Sequence, residues 1–267
     1  MIHKQKRHKD TTYTMISSMI HYQYYIIRKG DFATDANKKI YYSLFSIGLS
    51  LEEYLCSGST DCFRIMFGST IIWTLIETIL HFTNTRAIKP MYITDFHKNK
   101  VLVPKSMSLF LQGFQEGGVV TTFGLYFGDR LTSLKYIIFF HLFIAYIIVN
   151  MNSKQNISIV ASKRQVNTLG SLLTMGTMTI YNSIKLYQHP EHLQRQFNMF
   201  FVMTYVCSIW TYIAYKKGFR TTETMITHNG DMIVKPENKV ESFFILGYDV
   251  IFEISIAYIT FYNLFIM

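Results

Sequence analysis

The stretch Ser242-Phe-Phe-Ile-Leu-Gly-Tyr-Asp-Val-Ile-Phe-Glu-Ile-Ser-Ile-Ala-Tyr-Ile-Thr-Phe-Tyr-Asn-Leu-Phe-Ile266 decides how this chain is read. It contains no lysine, arginine or proline. Its length suits a helix crossing a hydrocarbon layer about 30 Å thick, which takes roughly 20 apolar residues. Asp249 and Glu253 interrupt it four residues apart, on one face of a helix and at middle depth.

Outward from this segment, six further apolar runs of similar length appear: Ile40 to Cys56, Phe63 to Phe82, Leu109 to Phe127, Ser133 to Asn150, the second half of Ile157 to Ser183, and Phe197 to Tyr215. The first carries Glu52 and Glu53, and the fifth is preceded by Lys163 and Arg164. The composition agrees, with 49% hydrophobic, 16% aromatic and only 16% charged residues among 267. Mean hydropathy is only +0.16, because the first 39 residues and two long loops hold most of the charge. The sequence predicts an all-α, multi-pass integral membrane protein. Residues 1–39 are expected to form a basic, Tyr-rich cytoplasmic or interfacial segment, and 40–267 a single seven-helix transmembrane domain with cytoplasmic loops 83–108 and 216–241.

Charge placement fixes the orientation. With the N-terminus inside, 21 of the 26 lysines and arginines fall on one side, and only Arg64, Arg130, Lys135, Lys185 and Arg195 lie near the other. Retained positive charge marks the cytoplasmic face, so the expected topology is N-terminus in, C-terminus on the opposite side. The net charge of +9 then reflects topology and contact with anionic headgroups, and calls for no nucleic-acid partner.

The connections differ in character. Tyr13 to Ile27 is too short to span and lacks a small-residue cleavage site, which suits a segment lying at the headgroups. Pro90 and Pro104 predict an irregular loop after the second span. Thr224 to Val234 centres on Asn229-Gly230 between apolar residues and reads as a β-hairpin with a type I′ turn. Cys56 and Cys62 bracket a short outer loop and read as free thiols in preference to a disulfide, while Cys207 reads as core. No cysteine–histidine zinc spacing occurs.

Candidate chemistry lies in ionisable groups within the spans, because lipid cannot solvate them. Glu77 and His81 share one face of the second span. Glu116 lies about 10 Å along the third. His141 sits near the middle of the fourth, and Asp249 and Glu253 in the seventh. These are expected to converge around a small cation, a proton or a lipid ligand. The third span carries Gly113-Phe-Gln-Glu-Gly117 and Gly124-Leu-Tyr-Phe-Gly128, two spacings that let backbones approach closely, so it is expected to be central. Gly170, Ser171, Thr174, Gly176, Thr177 and Thr179 give the fifth span a small, polar face suited to close packing. Glu52, Glu53, Arg64, Asp129 and Arg130 read as boundary residues, and His189-Pro-Glu-His192 and His228 as turn residues.

Three functions fit. A proton- or cation-coupled transporter or channel comes first, then a non-catalytic membrane scaffold, and then an intramembrane lipid-modifying enzyme using a Glu/His/Asp site. No cofactor or catalytic residue is specified by any motif. A retinal-binding rhodopsin is excluded by the lack of a lysine in the last span.

Overall fold

Helices fall on all seven apolar runs in the computed structural model, which describes residues 21–30, 34–83, 90–150, 157–158, 160–228 and 231–267. They are α1 (Ala36–Ser57), α2 (Asp61–Phe82), α3 (105–128), α4 (Leu134–Asn150), α5 (Leu169–Gln188), α6 (Leu193–Lys216) and α7 (Lys239–Phe265). Three helical stretches, Asp61–Phe82, Pro190–Lys216 and Lys239–Phe265, are long and apolar enough to cross a membrane, and Leu134–Val149 is a shorter apolar helix.

α1 shows how the sequence builds a bundle of this kind. Asp35 caps it by accepting from the Lys38 amide, and Gly58, at φ 71°, ends it with a left-handed residue whose N–H reaches the Tyr54 carbonyl. Its buried stripe is Ala36, Lys39, Ser43, Ser46, Leu49, Ser50 and Glu53, whereas Leu44, Leu51 and Leu55 face outward. Small and polar residues inside with leucines outside invert the pattern of a water-soluble helix. α2 repeats it, burying Ser69, Thr70 and Glu77 while Phe67, Ile71, Leu75 and Ile79 are more than half exposed.

The expected all-α architecture needs correction, because a four-stranded antiparallel sheet is also present. Its order is β4-β1-β5-β6, from β4 (Val160–Gln165), β1 (His21–Lys29), β5 (Arg220–His228) and β6 (Asp231–Lys235). His21–Lys29, in the Tyr-rich segment expected at the headgroups, is therefore a central strand, residues 1–20 lying outside the described residues, and Lys163 and Arg164 belong to β4. The fifth helix starts only at Leu169, where Thr168 caps it by accepting from Ser171. β1 has β-branched and aromatic residues suited to a strand, but its partners lie more than 130 residues away, so no local pattern announces the pairing. The expected hairpin is β5–β6, with His228 opposite Asp231; Asn229-Gly230 and its turn type lie outside the described residues. The loop after α2, expected to be irregular, contains a small hairpin of β2 (Tyr92–Thr94) and β3 (Lys100–Leu102).

The sheet defines one end of the bundle. It gathers the segment before α1, the α4–α5 connection and the α6–α7 connection, and an isolated bridge, Asp35 to Tyr92, ties in the α2–α3 connection. The other three connections meet at the far end. There Arg195 at the start of α6 grips Asp129 with two nitrogens (2.8 and 2.7 Å) and reaches Asp61 of α2 at 2.6 Å. Glu52 accepts from Tyr126 (2.8 Å), Tyr136 (2.9 Å) and Arg130 (3.4 Å), and Glu53 caps α2 through the Cys62 amide. The boundary acids thus hold helix ends together. His192 meets the Tyr262 hydroxyl at 2.6 Å. Cys56 is exposed, Cys62 is buried, and all three cysteines are free thiols.

Between the two ends, α3 is central. A Cβ at Gly113 would lie 2.1 Å from Thr74 Oγ1, at Gly117 2.5 Å from the Ser69 carbonyl, and at Gly124 2.5 Å from Met203 Sδ. One glycine pair therefore seats α2 and the other seats α6. α5 departs from expectation. It buries no residue fully, and a Cβ at Gly170 or Gly176 would meet nothing within 4 Å, so its small face is open.

Candidate functional site

The sheet register assembles the site. Arg28 of β1 stands directly opposite Arg220 of β5, and Ile26, two residues before Arg28, stands opposite Arg164 of β4. Opposed residues and those two apart share a face, so three arginines from adjacent strands project from one side of the sheet. That side meets α3 and α7.

Each arginine finds an acid within the helices. Arg28 Nη1 lies 3.2 Å from Glu116 Oε1. Arg164 Nη2 donates to Asp249 Oδ1 at 2.6 Å and also pairs with Glu253 Oε2. Arg220 pairs with Asp249 Oδ2, with both side chains 1% exposed. Around them, Trp73 Nε1 donates to Glu116 (3.1 Å), Gln112 donates to Glu116, Ser171 donates to Glu253 (2.9 Å), and Arg220 donates to Thr211 (3.1 Å). Lys39 donates to Gln112 and Gln115 at 2.7 and 2.6 Å, and the Tyr258 hydroxyl donates to the Glu116 carbonyl. Burial lowers the Arg220 guanidinium to about 10, against the attraction of Asp249, and it remains protonated at neutral pH.

Both acid-bearing helices change winding where the acids sit. Glu116 lies in a π-helical stretch of α3, Phe114–Val119, and Asp249 and Glu253 in another in α7, Asp249–Ile256. In α7 the Ser255 hydroxyl donates to the Val250 carbonyl five residues back (2.8 Å) and accepts from Thr204 of α6 (2.9 Å). Such side-chain insertion stabilises wide turns, which recur at functional positions.

Of the six residues singled out from the sequence, Asp249 and Glu253 share Arg164, and Glu116 joins them through the opposed pair Arg28 and Arg220. Glu77 is buried on α2 at 1% exposure. His81 is one turn further along, with Nδ1 out of contact with solvent. His141 does not face this layer, contrary to the expected convergence. It is exposed on α4, where Nδ1 meets the Ile137 carbonyl (2.8 Å) and Nε2 meets the Tyr205 hydroxyl (3.3 Å). A histidine can satisfy both ring nitrogens on the bundle surface, so its position in an apolar run does not force it inward.

Sequence reasoning missed the arginines. Arg28 lies in the segment 1–39 expected at the interface, Arg220 in the expected loop 216–241, and Arg164 just before the second half of the fifth apolar run. The available signal was the excess of acids over bases inside the apolar runs, which called for cations from elsewhere. Among the described residues, no group of three or more His, Cys, Asp or Glu is placed to hold a metal ion. No family model, curated protein or solved structure matches this chain.

Proposed function

We propose that the chain is a multi-pass membrane protein with seven spans, N-terminus cytoplasmic, in which the arginine–carboxylate layer couples proton uptake to movement of the cytoplasmic sheet, as in a proton-driven carrier. The topology rests on the outward apolar faces of the helices, on the gathering of alternate connections at opposite ends, and on the 21 to 5 division of basic residues. Thiol labelling checks it: Lys98→Cys and Lys235→Cys should react from the cytoplasmic side and Gln188→Cys from the other. Reaction of all three from one side refutes seven spans.

The observation carrying the proton reading is the graded exposure of one bridge. Arg164 is 43% exposed, whereas the carboxylates it joins, Glu253 and Asp249, are 6% and 1% exposed. Water reaches one end of the network and the hidden acids lie at the other. A carboxylate holds an arginine strongly only while ionised, so protonating Glu253 or Glu116 loosens the sheet from a helix. A cation would have to displace arginines from the same oxygens, which makes the proton the better-fitting ligand.

Spin labels at Lys163 and Gln188 should move apart as the pH falls from about 8 to about 5, the range in which desolvated carboxyl groups take up protons. Glu253→Gln and Glu116→Gln should abolish the shift while leaving the protein folded. An unchanged distance across the pH range overturns the proton reading. The second reading, a non-catalytic scaffold, is favoured by the arginine pairing of Glu116, Asp249 and Glu253, and predicts that both variants alter thermal stability alone.

A further inference from the structure

We infer that β6 is a self-pairing edge through which two copies of this chain join their sheets antiparallel. β6 ends the four-stranded order, and its principal neighbour is β5, so among the described residues its outer edge is unpaired. Its five residues, Asp231-Met-Ile-Val-Lys235, contain no proline and pair with β5 without a bulge. Met232, Ile233 and Val234 are 60%, 55% and 55% exposed. An extended apolar edge of this kind is a template for another strand.

The sequence of the edge selects a second copy as the occupant. When β6 pairs antiparallel with itself about Ile233, Asp231 of each copy faces Lys235 of the other, Met232 faces Val234, and Ile233 faces Ile233. Two opposite-charge pairs and three apolar pairs result, all from one short strand and its own image. Shifting the register by two residues in either direction loses both charge pairs. Lys235 is available for this role, since its contact with Glu241 is a surface one at 3.6 Å.

Backbone geometry fits the same register. His228 and Asp231 close a two-residue connection as a hydrogen-bonded pair, so Ile233 points its N–H and C=O at β5, while Met232 and Val234 point theirs outward. Met232 opposite Val234 then supplies four backbone hydrogen bonds across the seam, with Ile233 opposite Ile233 at the close, non-hydrogen-bonded spacing of about 4.5 Å.

The symmetry also suits a membrane. Neighbouring antiparallel strands are related by a two-fold axis perpendicular to their sheet, so the arginine-bearing face stays on the same side in both copies. Two bundles can therefore enter the bilayer in the same orientation, as a closed two-fold dimer requires. A single strand pair is a small contact, so the dimer is expected where copies are confined to one bilayer, and confinement raises their effective concentration.

The test uses the full chain in native membranes, with mild oxidation. Ile233→Cys should give an intermolecular disulfide dimer that the wild-type chain, with its three native cysteines, does not form. In that background, Asp231→Lys or Lys235→Asp should each lower the cross-linking yield about tenfold, by setting like charges opposite each other across both halves of the seam. Asp231→Lys combined with Lys235→Asp should restore it, and this rescue separates the specific register from loss of fold. Monomeric Ile233→Cys, as when residues of the same chain cover the edge, overturns the inference. So does a dimer whose yield ignores both charge changes.

Discussion

Asp249→Leu is expected to cost about 3–5 kcal/mol, the range for removing one partner of a buried ion pair, and to leave little folded protein in detergent. Arg220 would remain 1% exposed with a full charge, holding only Thr211 and the face of Trp210, whose ring centre is 5.4 Å from the guanidinium. Arg164 would keep Glu253 and could not relieve it. Arg220→Met should cost less, because Asp249 keeps Arg164 at 2.6 Å. Asp249→Leu together with Arg220→Met should recover most of the loss, since a well-packed apolar pair replaces a buried ion pair at little net cost. Thermal unfolding of the three variants gives the order. Equal stability of Asp249→Leu and wild type would mean that this pair is not desolvated as the fold requires.

Gly117→Leu should be comparably damaging for a steric reason. Even a Cβ at Gly117 would stand 2.5 Å from the Ser69 carbonyl oxygen and 2.9 Å from Trp73 Cβ, and the carbonyl belongs to the backbone of α2. Overpacking at a rigid contact costs about 1–3 kcal/mol and occasionally more. Here separating α2 from α3 also withdraws Trp73 from Glu116. Gly113→Ala, facing the Thr74 amide at 2.6 Å, should follow the same pattern. Gly170→Ala and Gly176→Ala are the contrasting controls. Their open surroundings predict no loss, and alanine's better helix propensity predicts a gain of up to about 1 kcal/mol. Unfolding midpoints for the four variants decide whether the close approaches exist.

The same glycines mark how far sequence reading reaches. Gly113, Gly117, Gly124 and Gly128 sit at a spacing whose consequence is local, since any neighbour can approach where a side chain is missing. Both pairs were legible before the neighbours were known. Gly170 and Gly176 have similar surroundings in sequence, yet nothing packs on them, because a small face permits contact without supplying the partner. The acids behaved similarly. Their burial at mid-helix followed from their position inside apolar runs, but the identity of their partners did not.

By itself, the sequence determined the seven helices, the division of basic residues and the β5–β6 hairpin. These depend on interactions within about twenty residues: hydrophobic run length, capping at Asp35 and Thr168, and turn chemistry around Asn229-Gly230. Only tertiary structure decided that His21–Lys29 is a central strand between β4 and β5, and that the arginines of all three strands meet Glu116, Asp249 and Glu253. The physical reason is range. A strand satisfies its backbone on another strand, and a buried charge finds its counter-charge wherever the fold delivers one, with no constraint linking either partner's position in the chain.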